Sequence, residues 1–181
     1  LRTLGFAWGI VGVLLLLSFA IFRLAPIAFE LGDLQLSAVH WASLAFSIVY
    51  MAYAEGYKGF HRGFSPRVIQ RANYLRENPR WHHVLLAPAF CMGYIYATRR
   101  RQILSIGLTL VVMGFVVVAR QLPQPWRGIL DAGVVTGLSL GIMSILYFLL
   151  NSLRTPGFIT VSPEVPLPMA IGSDAAVQPD V

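Results

Sequence analysis

Five stretches free of Asp, Glu, Lys and Arg follow one another along this chain: Thr3 to Phe22, Leu34 to Ala54, Trp81 to Thr98, Gln102 to Ala119 and Ala132 to Leu153. A helix rises about 1.5 Å per residue, so a hydrocarbon layer of about 30 Å takes roughly 20 apolar residues, which is the length of these runs. Hydrocarbon offers no water to free backbone N–H and C=O groups, so each run should satisfy its own backbone as a helix. Composition agrees: 12% of the 181 residues are charged, against about 25% in a soluble domain. The expected fold class is an all-α, polytopic membrane helical bundle with five segments, at about 3–22, 34–57, 79–98, 102–119 and 128–153. Pro156, Pro163, Pro166, Pro168 and Pro179 fall in a stretch without apolar periodicity, so 155–181 is expected to be a disordered tail.

The formal net charge is +6, and the cations crowd into the connections. Lys58, Arg62, Arg67, Arg71, Arg76 and Arg80 share one of them. Short loops rich in Lys and Arg stay cytoplasmic, so this loop and the N-terminus two crossings away are expected inside. The expected localisation is an integral, multi-pass position such as the bacterial inner membrane. Within the basic loop, Ser65 and Pro66 read as N-cap and first helical position of a helix reaching about Glu77. Val68, Ile69, Ala72 and Leu75 share one side of it, flanked by Arg67, Gln70 and Arg71, which suits lying flat on anionic headgroups. A solvated linker helix is the other reading of the same pattern.

Two ends of the chain leave choices open. Helix 1 is expected to stop near Arg23 to Pro26, because proline cannot continue the hydrogen-bond ladder. It lacks an Ala-x-Ala-like exit and reads as a mature helix, not a cleaved signal; the start at Leu1 leaves room for a missing initiator or leader. In the third run Asn78 and Pro79 offer a cap and start, but the apolar part from Val84 to Ala97 is short, contains Pro88 and follows His82 and His83. Such a segment either spans or is re-entrant. If it spans, Lys and Arg divide nine inside and five outside; if it does not, they divide eleven and three. The side of the C-terminus follows from that choice.

Few residues promise chemistry. Cys91 is single, so no intrachain disulfide, dithiol pair or Cys-based zinc site is expected. Of His40, His61, His82 and His83 only the last two are neighbours, and neighbours point to different helix faces, so no metal or other cofactor is expected. Gly137-Leu138-Ser139-Leu140-Gly141 matches the nucleophile-elbow pattern, but the elbow needs a strand, a turn and a helix, and Ser139 sits in an apolar run. Only an approach of His40 to Ser139 would give it a base. Gly133, Gly137 and Gly141, and likewise Gly5 and Gly9, have the four-residue spacing that lets helix backbones approach closely in lipid. Arg127 and Asp131 share a helix face and are expected to form an interfacial ion pair that fixes the depth of the last helix. Gly56-Tyr57, Gly59-Phe60 and Gly63-Phe64 interleave aromatics with Lys58, His61 and Arg62 next to Glu55, a pattern of interface belts that meet headgroups. Recognition of a phosphorylated or carboxylated amphiphile by the arginines is the alternative. Nucleic acid is not expected as a partner, since no basic groove-filling helix lies away from the membrane runs.

Over the last three helices of this chain, Arg67-Val68 with Glu77-Asn78 closing the same helix, and Leu122-Pro123-Gln124-Pro125 followed by Arg127, resemble signatures of the membrane-associated eicosanoid and glutathione metabolism (MAPEG) family. That family consists of small helical trimers that handle lipophilic electrophiles with glutathione. The resemblance implies Arg67, Glu77, Asn78 and Arg127 as ligand contacts. The family's third-helix Arg and Tyr pair has no counterpart between Ile103 and Val118.

Three functions remain in view. The first is a structural or accessory subunit or lipid-interacting bundle without a complete catalytic constellation. It would meet anionic headgroups or a partner through Lys58, Arg62, Arg67 and Arg71, and pack through its glycines within the bundle or as a homo-oligomer. The second is a glutathione-dependent membrane enzyme. The third is a carrier or channel subunit, in which Glu55 and Asp131 would face a watered cavity.

Overall fold

The structure is a computed structural model that describes residues 2–78, 81–155, 158–159, 161–162 and 164–165. The first apolar run forms α1 (Arg2–Phe29), which continues through Pro26 into a 3₁₀ turn at Glu30–Asp33. The expected stop at Arg23 to Pro26 is therefore corrected. The bond lost at Pro26 is offset beyond it, where the Gln124 side chain donates to the Ile27 carbonyl at 3.4 Å and to Glu30 at 2.9 Å, and Leu31 is buried beside Gly128.

Ser37 caps α2 (Ala38–Met51), its hydroxyl accepting from the His40 N–H while the His40 ring accepts from the Ser37 N–H. The same rod then runs on without a break, as π-helical turns over Ala52–Phe64 and as α3 (Ser65–Glu77). Ser65 is thus interior to a rod and its hydroxyl caps nothing, which corrects the expected helix start there. The wide turns fall on the glycine-rich stretch that holds Gly56, Gly59 and Gly63.

The third run does not form one helix. It gives α4 (Trp81–Leu85) and α5 (Ala87–Met92), of 5 and 6 residues, separated at Leu86 and ended at Gly93, whose φ is 87°. Pro88 has no N–H to give to the preceding turn, and pieces this short cannot cross about 30 Å of hydrocarbon. A single helix over 79–98 is corrected accordingly. The last two runs form α6 (Arg99–Ala119) and α7 (Trp126–Arg154). Every regular element among the described residues is helical, and Thr3–Asp33, Arg99–Ala119 and Trp126–Arg154 are long and apolar enough to cross a membrane.

Helix α7 is the axis. The α2–α3 rod lies parallel to it, with matched levels at His40 and Trp126 (rings 5.0 Å apart), Ser47 and the Ile129 carbonyl (3.0 Å), His61 and Ser144 (3.2 Å), and Asn73 and Ser152 (3.0 Å). Helix α1 runs the opposite way: Leu31 meets Gly128 at one end, and Gly5 and Gly9 meet Leu75, Val84 and Cys91 at the other. That second end, where α3, α4 and α5 gather, is called basal here. It holds the apolar core, including Val13, Ile69, Leu75, Phe90 and Ile145. Helix α6 packs along no other helix among the described residues; its first half is tied down, by Ser105 donating to the Met92 carbonyl, Gln102 to the Tyr94 carbonyl, and a Tyr94–Thr109 contact. Part of the tail departs from the expected disorder: Ile159 is buried in the basal core and Val165 packs against it, because apolar side chains find an open wall at Phe148 and its neighbours. Residues 166–181 lie outside the described residues.

Candidate functional site

Arg71 is 1% exposed, at the centre of the basal core. Its Nε donates to the Phe90 carbonyl at 2.6 Å, and its Nη2 donates to the carbonyls of Ile95 and Tyr96 at 2.8 and 3.0 Å. The Phe90 ring lies against the same guanidinium, 4.4 Å from Cζ. The reason is local. Helix α5 ends at Gly93, whose N–H bonds to the Phe90 carbonyl at 3.0 Å, and the carbonyls of Ile95 and Tyr96 lie in the turn beyond the helix; one planar fork of donors adds a charged bond to the first and serves the other two. Burial pulls the Arg71 guanidinium down to about 10, which leaves it charged at neutral pH. The expectation that Arg71 meets headgroups is corrected: periodicity places it at the edge of the apolar face, and the carbonyls at the end of α5 and in the turn after it hold it inside.

Around it stand Arg67, one helical turn earlier, and Arg101 in the first turn of α6. The Glu164 carboxylate lies between these two, 3.9 Å from Arg67 Nε and 3.7 Å from Arg101 Nε. The Thr98 N–H donates to the Glu164 carbonyl at 3.0 Å and pins that segment beside the cluster. His83, buried, packs its ring on Phe90 and Tyr96 and closes one side. Arg67 and Arg101 therefore share one carboxylate, beside the buried Arg71.

The other residues singled out from the sequence scatter. Lys58 and Arg62 are exposed on the π-helical stretch, with the Lys58 ammonium 5.3 Å from the Tyr53 ring. Glu77 and Asn78 are exposed at the end of α3. Arg127 begins the opposite end of α7, 25 residues before the Ser152 level of α3, or about 38 Å away along the helix. The four positions implied by the MAPEG resemblance are therefore not brought together within the chain. Arg127 does reach Asp131, at 3.8 Å, and Asp131 is buried. Ser139 donates to the Val135 carbonyl at 2.7 Å, while His40 stays with Ser37 and Trp126 at the far end, so the two do not meet. A different pair does: His61 Nδ1 and Ser144 Oγ lie 3.2 Å apart beside an open groove of about 350 Å³ lined by Tyr57, Leu140, Met143 and Tyr147. Tyr57, Tyr147 and Phe148 enclose that imidazole, and no carboxylate bonds to it among the described residues. Cys91 is buried and its thiol is pushed up to about 12 by burial, which removes it as a nucleophile. No group of three His, Cys, Asp or Glu converges among the described residues.

Glu164 and Arg101 are the members that sequence reasoning missed. Arg101 carried a signal, three consecutive arginines before an apolar run; Glu164, in a Pro-rich stretch, carried none.

Fold and cluster together define a class: an all-helical chain with membrane-length apolar helices and an arginine-rich end. No protein-family model, curated protein or solved structure matches this chain.

Proposed function

We propose that the chain is a multi-pass integral membrane protein, a lipid-interacting or accessory bundle with its basal end in the cytoplasm and no catalytic constellation of its own. The observation that carries this is the segregation of cations along the helices. Lys58, Arg62, Arg67, Arg71 and Arg76 on the rod, Arg99 to Arg101 at the start of α6 and Arg154 at the end of α7 fall toward the basal end. Arg23, Arg120 and Arg127 fall toward the other. Short connections so unequal in Lys and Arg orient a bundle with the richer side inside. It also follows that α1, the α2–π rod, α6 and α7 make four crossings, with α4 and α5 on the cytoplasmic side.

Depth agrees with this assignment. Starting from Trp126, about 30 Å of hydrocarbon is used up near Leu146, the level of His61, so Lys58 and Arg62 fall at the lower headgroups and α3 lies below them. The hydrocarbon part then contains few buried apolar side chains and is held where Gly133, Gly137 and Gly141 admit the rod. That is how helices associate when the solvent is as apolar as their side chains.

Reporter fusions test the orientation. Alkaline phosphatase joined after Arg101 and after Arg154 is expected to be inactive, and a fusion after Gln121 active. Activity after Arg154 would reverse the assignment. Retention of the protein in the membrane pellet after alkaline carbonate washing is the accompanying expectation, and its release to the supernatant would end the proposal altogether.

A further inference from the structure

Among the described residues the charges around Glu164 do not balance. Arg71 is committed to backbone carbonyls, which leaves Arg67 and Arg101 facing the single Glu164 carboxylate. The fit is loose: 3.9 and 3.7 Å are beyond the roughly 2.7–3.2 Å of a hydrogen bond, and the buried Nε of Arg101 has no hydrogen-bond partner among the described residues. A guanidinium matched to its anion docks by paired short bonds. Here the carboxylate supplies charge without filling the donors.

Two neighbouring features indicate what would fill them. Arg99 to Arg101 occupy the first turn of α6, where the positive end of a helix disfavours cations, so the place calls for more negative charge than one carboxylate carries. Next to it Ile103 and Leu104 are 70% and 55% exposed, on a helix with no packed neighbour, at the depth where an apolar span gives way to headgroups. An anion with three or four acceptor oxygens and an acyl chain attached matches both. Glu164 itself is held with φ at 50°, in the left-handed region that L-residues rarely adopt, so release of its segment relieves backbone strain.

We propose that Arg67 and Arg101 form a headgroup site for a phosphate-bearing amphiphile, and that Glu164 occupies this site as the chain's own anion until such a lipid displaces it. The inference rests on the membrane placement above and adds a specific, self-plugged site to it.

The test uses the full chain purified in non-ionic detergent and titrated with dioctanoyl phosphatidic acid, dioctanoyl phosphatidylcholine and inorganic phosphate, with binding read by native mass spectrometry and by melting temperature. Phosphatidic acid should bind the wild type, Glu164→Gln should tighten it about tenfold, and Arg101→Gln should weaken it about tenfold. Arg67→Gln, on a side chain 34% exposed, keeps the test decisive if the other variants fold poorly, and it too should weaken binding. If Glu164 were only a latch for the tail, Glu164→Gln would lower the melting temperature and leave the phosphatidic acid affinity unchanged, which overturns the proposal. Equal saturation by inorganic phosphate would assign the site to the free anion and overturn the lipid. Equal binding of phosphatidylcholine would show that the phosphate charge is not read. Failure in any of these arms leaves the carbonate and fusion results standing, so the two proposals fail separately.

Discussion

Arg71→Leu is expected to destabilise the bundle by about 3–5 kcal/mol, because one buried and two half-buried carbonyls would each forfeit a charged donor at about 1–3 kcal/mol apiece, the Phe90 carbonyl keeping a backbone partner in the Gly93 N–H. The leucine would fill part of the volume, but it has nothing to offer Phe90, Ile95 and Tyr96. Arg71→Lys should fall between the two: an ammonium is one point, and it cannot span acceptors on both the end of α5 and the turn that follows. Arg76→Leu, on the exposed side of the same helix with only the Phe6 ring 6.0 Å away, should stay within about 0.5 kcal/mol of wild type. Unfolding by SDS titration in mixed micelles, followed by circular dichroism, ranks the three. A midpoint for Arg71→Leu equal to that of wild type would mean that α5 holds its position without the arginine.

That ranking shows where sequence reasoning stops. The apolar runs at the two ends of the chain became α1 and α7 because charge-free length is a property each run carries by itself, and the i to i+4 pair of Arg127 and Asp131 met for the same reason. Arg71 was different. A helical period places it beside Val68, Ile69, Ala72 and Leu75, yet only the break of α5 at Gly93, 22 positions on, supplies acceptors for a buried guanidinium. Ser65 and Pro66 look like a helix start to any local reading, and the π-helical turns before them run straight into α3. Pro88 and the short apolar stretch around it did signal a weak span, and the structure resolves it as two short helices on the basal core. Gly12 sat outside the four-residue pattern of Gly5 and Gly9, and it is the glycine on α1 whose Cβ would overlap Pro88. Close approach is decided by the partner, which spacing alone does not name.

Gly141→Leu should separate the rod from α7 and lower stability by about 3 kcal/mol, the upper range for overpacking a close contact. A Cβ at position 141 would stand 2.7 Å from the Phe60 ring, with two more ring atoms at 2.8 Å, and a leucine adds three carbons beyond it. Phe60 cannot simply swing away, since its ring packs edge-on against Phe64 at 5.4 Å. At Gly137 the obstacle is of another kind: a Cβ there would lie 2.8 Å from a Glu55 carboxylate oxygen, which can move, and 3.0 Å from the Glu55 Cβ, which is fixed to the backbone of the rod and cannot rotate out of the way. Gly137→Ala should therefore already be destabilising, where most helical Gly→Ala changes gain about 0.5–1 kcal/mol. The control lies in the same molecule. Gly107 and Gly114 on α6 have nothing within 4 Å of a Cβ, so alanine at either should be neutral or stabilising by that amount. The same SDS titration reads all four variants. If Gly137→Ala and Gly114→Ala shift the midpoint in the same direction, then local helix propensity, and not the fit of the rod against α7, governs these positions, and the close approach of the two helices contributes nothing that holds the bundle together.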